Sequence, residues 1–125
     1  MTLERKAVGA YGERCAVRHL VASGLRVVDR NWRTPAGGHG PAGEIDIIAW
    51  DGAVLAFCEV KTRRGGTFGP PAEAVVPAKA RRLRRLAARW LEQSSARPAE
   101  VRFDVVSVFA PPRGAARVEH LKGAF

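Results

Sequence analysis

Four charged residues stand where charge is least expected. Glu44 and Asp46 lie in the segment Glu44-Ile45-Asp46-Ile47-Ile48-Ala49-Trp50, and Glu59 and Lys61 in Val54-Leu55-Ala56-Phe57-Cys58-Glu59-Val60-Lys61. Both segments are apolar at odd and even positions over most of their length. That is the pattern of buried central strands, which ordinarily carry almost no charge. Asp51-Gly52 between them is a hairpin turn signal. With those two residues as the turn, Trp50 faces Ala53, Asp46 faces Phe57 and Glu44 faces Glu59. Side chains alternate with period two, so all four charged groups project from one face. Asp46 and Glu59 become diagonal neighbours roughly 7–8 Å apart, close enough to converge on one cation. A loop one residue longer or shorter would move Asp46 to the other face, whereas Glu59 and Lys61 share a face in any register.

Clustered carboxylates repel, and a divalent hard cation is one reason to keep them together. Mg²⁺ takes one or two carboxylates, retains waters and completes its shell with phosphate oxygens. It polarises a phosphoryl group and lowers the pKa of a bound water. An ammonium at Lys61 suits orienting that water or stabilising charge that develops on the phosphate. The chemistry these types fit is metal-assisted phosphodiester hydrolysis. The competing interpretation is an ion pair between Glu59 and Lys61 at a sheet end.

The elements that must position these groups are legible from periodicity. Apolar residues Ala7, Ala10, Tyr11, Val17, Leu20 and Val21 recur at helical steps from Leu3 to Ser23, with Gly24 as a stop. Leu25 to Asn31 reads as a strand ahead of the hairpin. Pro77 to Gln93 is a second helix, with Leu83, Leu86, Ala87, Trp90 and Leu91 as its apolar stripe and Lys79, Arg81, Arg82, Arg84, Arg85 and Arg89 on its other face. Val101 to Phe109 is a fourth strand and Arg117 to Leu121 a short fifth. Segments from Thr34 to Gly43, Arg63 to Pro71 and Ala110 to Gly114 are dense in Gly and Pro and read as loops. The order predicts an α/β mixed sheet with helices on its faces.

The chain has 125 residues, 46% apolar and 26% charged, which fits one domain spanning 1–125 and argues against disorder or a disulfide-stapled mini-protein. Lys and Arg number 21 against 12 Asp and Glu, a formal net charge of +9. So basic a domain tends to hold polyanions, nucleic acid before anionic membrane. No run reaches the roughly 18 apolar residues of a membrane span, and the first residues lack a signal-peptide core, so a cytoplasmic location is expected. Cys15 and Cys58 lack CxxC spacing and read as reduced core residues.

At the carboxylates the sequence resembles the YraN-type bacterial proteins, relatives of the PD-(D/E)XK nucleases and of archaeal Holliday-junction resolvases. Gly43-Glu44-Ile45-Asp46-Ile47-Ile48-Ala49 and then Phe57-Cys58-Glu59-Val60-Lys61-Thr62-Arg63 carry the likeness. It extends through Gly12-Glu13 with Ala16 and Leu20, Arg30-Asn31-Trp32-Arg33, Gly69, Glu73-Ala74-Val75, Lys79, and Arg102-Phe103-Asp104-Val105-Val106. The resemblance implies a restriction-endonuclease-like fold, a three-layer core with a mixed β-sheet flanked by helices in the order αβββαβ(β). By the same resemblance Asp46 matches the metal-binding aspartate, Glu59 the acidic residue of the (D/E)XK motif and Lys61 its lysine. Val60 would supply a backbone carbonyl to the metal, and Glu13 matches the first-helix glutamate that completes the site. The implied catalytic set is therefore Asp46, Glu59, Lys61 and Glu13, with Mg²⁺ or Mn²⁺ on Asp46, Glu59 and Val60. Resolvase relatives pair their sites to cut two strands, which by analogy implies a homodimer. Cys58 stands where valine is usual, and the segment from Thr34 to Ala42 is longer than the usual turn, which bears on Glu44 and on substrate access.

Arg63 and Arg64 follow the motif lysine and are the best phosphate contacts, with Lys79 and Arg33 beside them. Asp104 reads as structural, Trp32 as core, and His19, His39 and His120 lack ligand spacing. Three functions are carried forward: a metal-dependent endonuclease acting on branched or structured DNA, DNA being favoured over RNA; a nucleic-acid-binding module that keeps the fold and cleaves little; and an interaction protein whose charges form ion pairs.

Overall fold

A computed structural model describes residues 3–34, 43–64 and 77–125. His39, Gly69, Glu73-Ala74-Val75 and most of the first two Gly/Pro-rich loops lie outside the described residues. The elements run α1 (Leu3–Ala22), β1 (Arg26–Arg33), β2 (Glu44–Asp51), β3 (Val54–Arg64), α2 (Pro77–Gln93), β4 (Glu100–Ala110) and β5 (Arg117–Leu121). This is the expected order. The strands form one mixed sheet in the order β1-β2-β3-β4-β5. The first three are antiparallel, β4 returns parallel to β3 after α2, and β5 closes antiparallel. The parallel step needs a crossover, which α2 provides.

Helices cover both faces, giving three layers. Cys15, Ala16 and Leu20 of α1 pack on Ile47, Ala49, Ala56, Cys58, Val106 and Val108. Leu83, Leu86 and Ala87 of α2 pack on Ile45, Ile48, Leu55 and Phe57. Phe57 meets Trp90 edge-on and stacks with Phe103, each at 5.8 Å. Aromatic pairs of this geometry add about 0.5–1.5 kcal/mol beyond area burial.

α1 does not bury the whole stripe expected of it. Ala10 is exposed and Val21 is 54% exposed; Leu20 is buried as expected, and Gly12, Cys15 and Ala16 face the sheet with it. Small residues let the helix come close. A Cβ at Gly12 would collide with the side chain of Thr62, so only glycine fits there. The helix ends in a Schellman motif, with Gly24 at φ 97 and the Leu25 and Gly24 N–H groups donating to the carbonyls of Leu20 and Val21.

The hairpin register differs from the expected one. The turn is Gly52-Ala53, so Asp51 faces Val54 and Ile47 faces Cys58. Gly52 takes φ 61 at the first loop position, where a type II′ turn requires glycine. Asp51 stays in the strand, its carboxylate 3.0 Å from Arg102 and 3.1 Å from Lys122. The slip relative to the expected pairing is even, so it leaves the parity of the faces unchanged. Strict alternation nevertheless breaks at Asp46, since Ile45 and Ile47 on either side of it pack on opposite faces of the sheet.

Candidate functional site

The β2–β3 ladder stops at Ile47 and Cys58. Beyond that point β2 stays paired with β1 as far as Glu44, and β3 stays paired with β4 as far as Arg64. The sheet is thus split along a seam. Across it the Val60 N–H donates to Asp46 Oδ2 at 2.8 Å, so a carboxylate takes the place of a ladder carbonyl. Alternation also fails here: Ile45 packs on the α2 side and Ile47 on the α1 side, although they are two residues apart. Asn31 lies between Trp32, which pairs with Ile45, and Arg30, which pairs with Ile47. It has φ 50, a left-handed conformation that asparagine tolerates better than most residues.

Three carboxylates meet at the seam. Oxygens of Glu13, Glu44 and Asp46 lie within 4.8 Å of one another. Gly12 seated against Thr62 brings its neighbour Glu13 to the strands. Burial first, then the Glu59 carboxylate, then Glu13 and Glu44, push Asp46 up to about 7 against the opposing pull of the Val60 N–H. Glu44 Oε2 is a buried oxygen with no hydrogen bond. Arg33 Nε stands 2.9 Å from it, close enough for charge pairing but off the direction of an N–H bond. Converging oxygen donors, one lacking a hydrogen bond and one reluctant to ionise, fit a hard divalent cation.

Glu59 and Lys61 occupy the other side of the seam. Cys58 and Val60 pack toward α1, so Glu59 points toward α2, where Lys79 Nζ holds its Oε1 at 2.5 Å and Lys61 Nζ stands 3.5 Å away. Burial and the adjacent Lys79 ammonium hold Lys61 below its ordinary value. Burial works against the charge on Lys79 too, but its bond to Glu59 outweighs this and raises it. The structure therefore gathers Asp46, Glu13 and Glu44 on one side of the gap and Glu59, Lys61 and Lys79 on the other. Val60 contributes its N–H between them.

The residues expected to touch phosphate are spread around this end of the sheet. Arg63 and Arg64 close β3, Arg64 beside a cleft lined by Ala7, Val8, Tyr11, Ala110, Pro111 and Pro112. Arg33 closes β1 and pairs with Glu44, and Lys79 is engaged by Glu59. Glu44 is the ligand candidate that the resemblance left unassigned. Its signal in the sequence was its place two residues before Asp46 in a strand otherwise apolar. Trp32 packs with the α2-side core.

Asp104 forms a separate buried cluster with Cys58 and His120. Arg102 Nε and Nη2, His120 Nε2 and the Gly123 N–H lie 2.8–3.0 Å from its two oxygens. Burial opposes its ionisation, yet these donors hold it down at about 2. With its acceptor sites filled and a guanidinium in place, Asp104 is a structural anchor between β4 and the end of the chain.

A family model described as Uncharacterised protein family UPF0102 matches residues 12–108. A UPF0102 protein of Salinispora arenicola is 62% identical over 125 residues, covering 100% of both chains. One of Frankia alni is 55% identical over 121 residues, covering 97% of this chain and 96% of its own. The chain belongs to this family. Among solved structures, a Holliday junction resolvase from Archaeoglobus fulgidus is similar over 88% of this chain and 74% of its own, at 19% identity and a TM-score of 0.46.

Proposed function

We propose that this UPF0102 protein is a metal-dependent endonuclease that hydrolyses phosphodiester bonds in branched or structured DNA. The observation that carries this is the split between β2 and β3, lined by carboxylates on one side and by an acid and two ammonium groups on the other. Glu13, Glu44 and Asp46 would hold a divalent cation, with Glu59 facing it across the seam. When bound, Mg²⁺ or Mn²⁺ supplies Lewis acidity toward a phosphoryl oxygen and a more acidic water. Asp46 Oδ2 keeps its place through the Val60 N–H and ionises readily once a cation offsets its neighbours. Lys61, with its depressed pKa, sits where an amine orients a water or transfers a proton at Nζ. Glu59 fixes Lys61 and Lys79 in position. A net charge of +9 draws a polyanion toward the protein. The acting form is a homodimer, and the location cytoplasmic. No described helix is long and apolar enough to cross a membrane.

A nucleic-acid-binding module that cleaves little is the second candidate. One observation favours it: Glu59 is already neutralised by two ammonium groups. The experiment offers labelled four-way junction, flap, single-stranded and duplex DNA to the protein with Mg²⁺, Mn²⁺ or chelator. Asp46→Ala and Lys61→Ala run alongside. Endonuclease action gives metal-dependent cleavage that both variants lose. Salt-sensitive binding without cleavage supports the module, and absence of binding at modest salt defeats both.

A further inference from the structure

The exposed face of α2 is strongly basic. Lys79, Arg81, Arg82, Arg84, Arg85 and Arg89 are set against a single acid, Glu92, within Pro77–Gln93. Lys79, Arg82, Arg85 and Arg89 follow one another at steps of three and four, which places them along one side of the helix. They span about 15 Å at 1.5 Å per residue. Arg84 rests over the Phe103 ring at 5.0 Å. Among the described residues, no carboxylate pairs with Arg81, Arg82, Arg85 or Arg89. Such a face is self-repelling, with Glu92 as the one acid that α2 itself sets against it.

One contact and one close approach tie this face to the seam. Lys79 at its start holds Glu59. Farther along, the Arg82 Cδ stands 3.4 Å from where a Cβ of Gly43 would lie, beside Glu44. A polyanion lying on the arginines is thus led to the acids from the α2 side, while Glu13 approaches from α1. The apolar stripe of α2 is buried in the core, so the helix has no greasy face left to enter a lipid surface.

We propose that the arginine face of α2 is a phosphate track that holds a continuous duplex arm of the nucleic acid and feeds its backbone into the seam. This rests on the endonuclease proposal and names the surface and the entry side. The test is binding of a labelled DNA duplex across a salt series, with chelator present throughout so that no cleavage occurs. The combined variant Arg81→Gln, Arg82→Gln and Arg85→Gln is compared with the wild type. A control, Arg18→Gln, Arg26→Gln and Arg113→Gln, removes the same charge from exposed positions elsewhere. Each lost phosphate contact lowers the magnitude of the log K against log salt slope by about 0.9, so the α2 variant is expected to lose about 2–3 and the control close to none. Equal losses in the two variants, an unchanged slope in the α2 variant, or binding to anionic phosphatidylserine vesicles without binding to duplex would overturn the proposal. Circular dichroism and urea midpoints confirm that both variants fold. Because no metal is present, loss of the cleavage activity proposed above leaves this result standing, and an unchanged slope leaves cleavage standing.

Discussion

Replacing Asp46 by asparagine separates the cost of its charge from its role in the seam. The carboxyl moves from an ordinary 3.8 to about 7 in the folded protein. At about 1.36 kcal/mol per pKa unit this corresponds to about 4 kcal/mol at most. The folded state binds this proton more tightly than the unfolded chain does. The stabilisation is therefore complete below the unfolded value and is lost as pH rises through about 7. Above that, the folded protein bears the cost of a buried anion among three other carboxylates. Asparagine keeps an oxygen that accepts the Val60 N–H and carries no charge. The assay is urea unfolding with chelator present, from about pH 4.5 to about pH 8. Wild type should lose about 2–4 kcal/mol relative to Asp46→Asn across this window. Asp104, held down at about 2, contributes with the opposite sign and only in more acid solution. Adding Mg²⁺ should raise the wild-type midpoint by mass action and leave that of the variant nearly still. Parallel pH curves for the two proteins would refute the reasoning.

Two further predictions concern the supports of the site. Gly12→Ala forces a Cβ to within 2.8 Å of the Thr62 Cβ and Cγ2 as well as onto its Oγ1; it should cost about 1–3 kcal/mol, with part recovered when Thr62→Ala is added, and an unchanged melting temperature would defeat this. Asp104→Asn removes the charge that Arg102 and His120 lean on; breaking such a buried pair should cost about 3–5 kcal/mol, and thermal melting within experimental error of wild type would contradict it.

Much of the fold was legible because each layer leaves a period in the sequence. α2 runs from Pro77 to Gln93 as its stripe implies, and β2 and β3 are buried on both faces, as their unbroken apolar runs require. The hairpin register was off by an even step because Asp51-Gly52 and Gly52-Ala53 both offer a glycine, and only the tertiary partners of Asp51 decide between them. The site was legible in composition but not in arrangement. Period-two reasoning assumes strict alternation through Asp46, whereas the left-handed Asn31 and the end of the ladder at Ile47 break that period. Nor does the sequence say that Lys79, remote from Glu59, comes back to neutralise it.

The split in the sheet also has a mechanical meaning. Past Ile47 and Cys58, the two ribbons are bridged by the hydrogen bond from Val60 to Asp46, worth about 1 kcal/mol net. On the two sides of that gap Ile45 is seated in the α2-side layer and Val60 packs against the α1-side layer, so its width is tied to the packing of both. The spacing between the two banks of charge is therefore held by side-chain packing on both faces more than by backbone pairing, an aperture whose edges belong to the core.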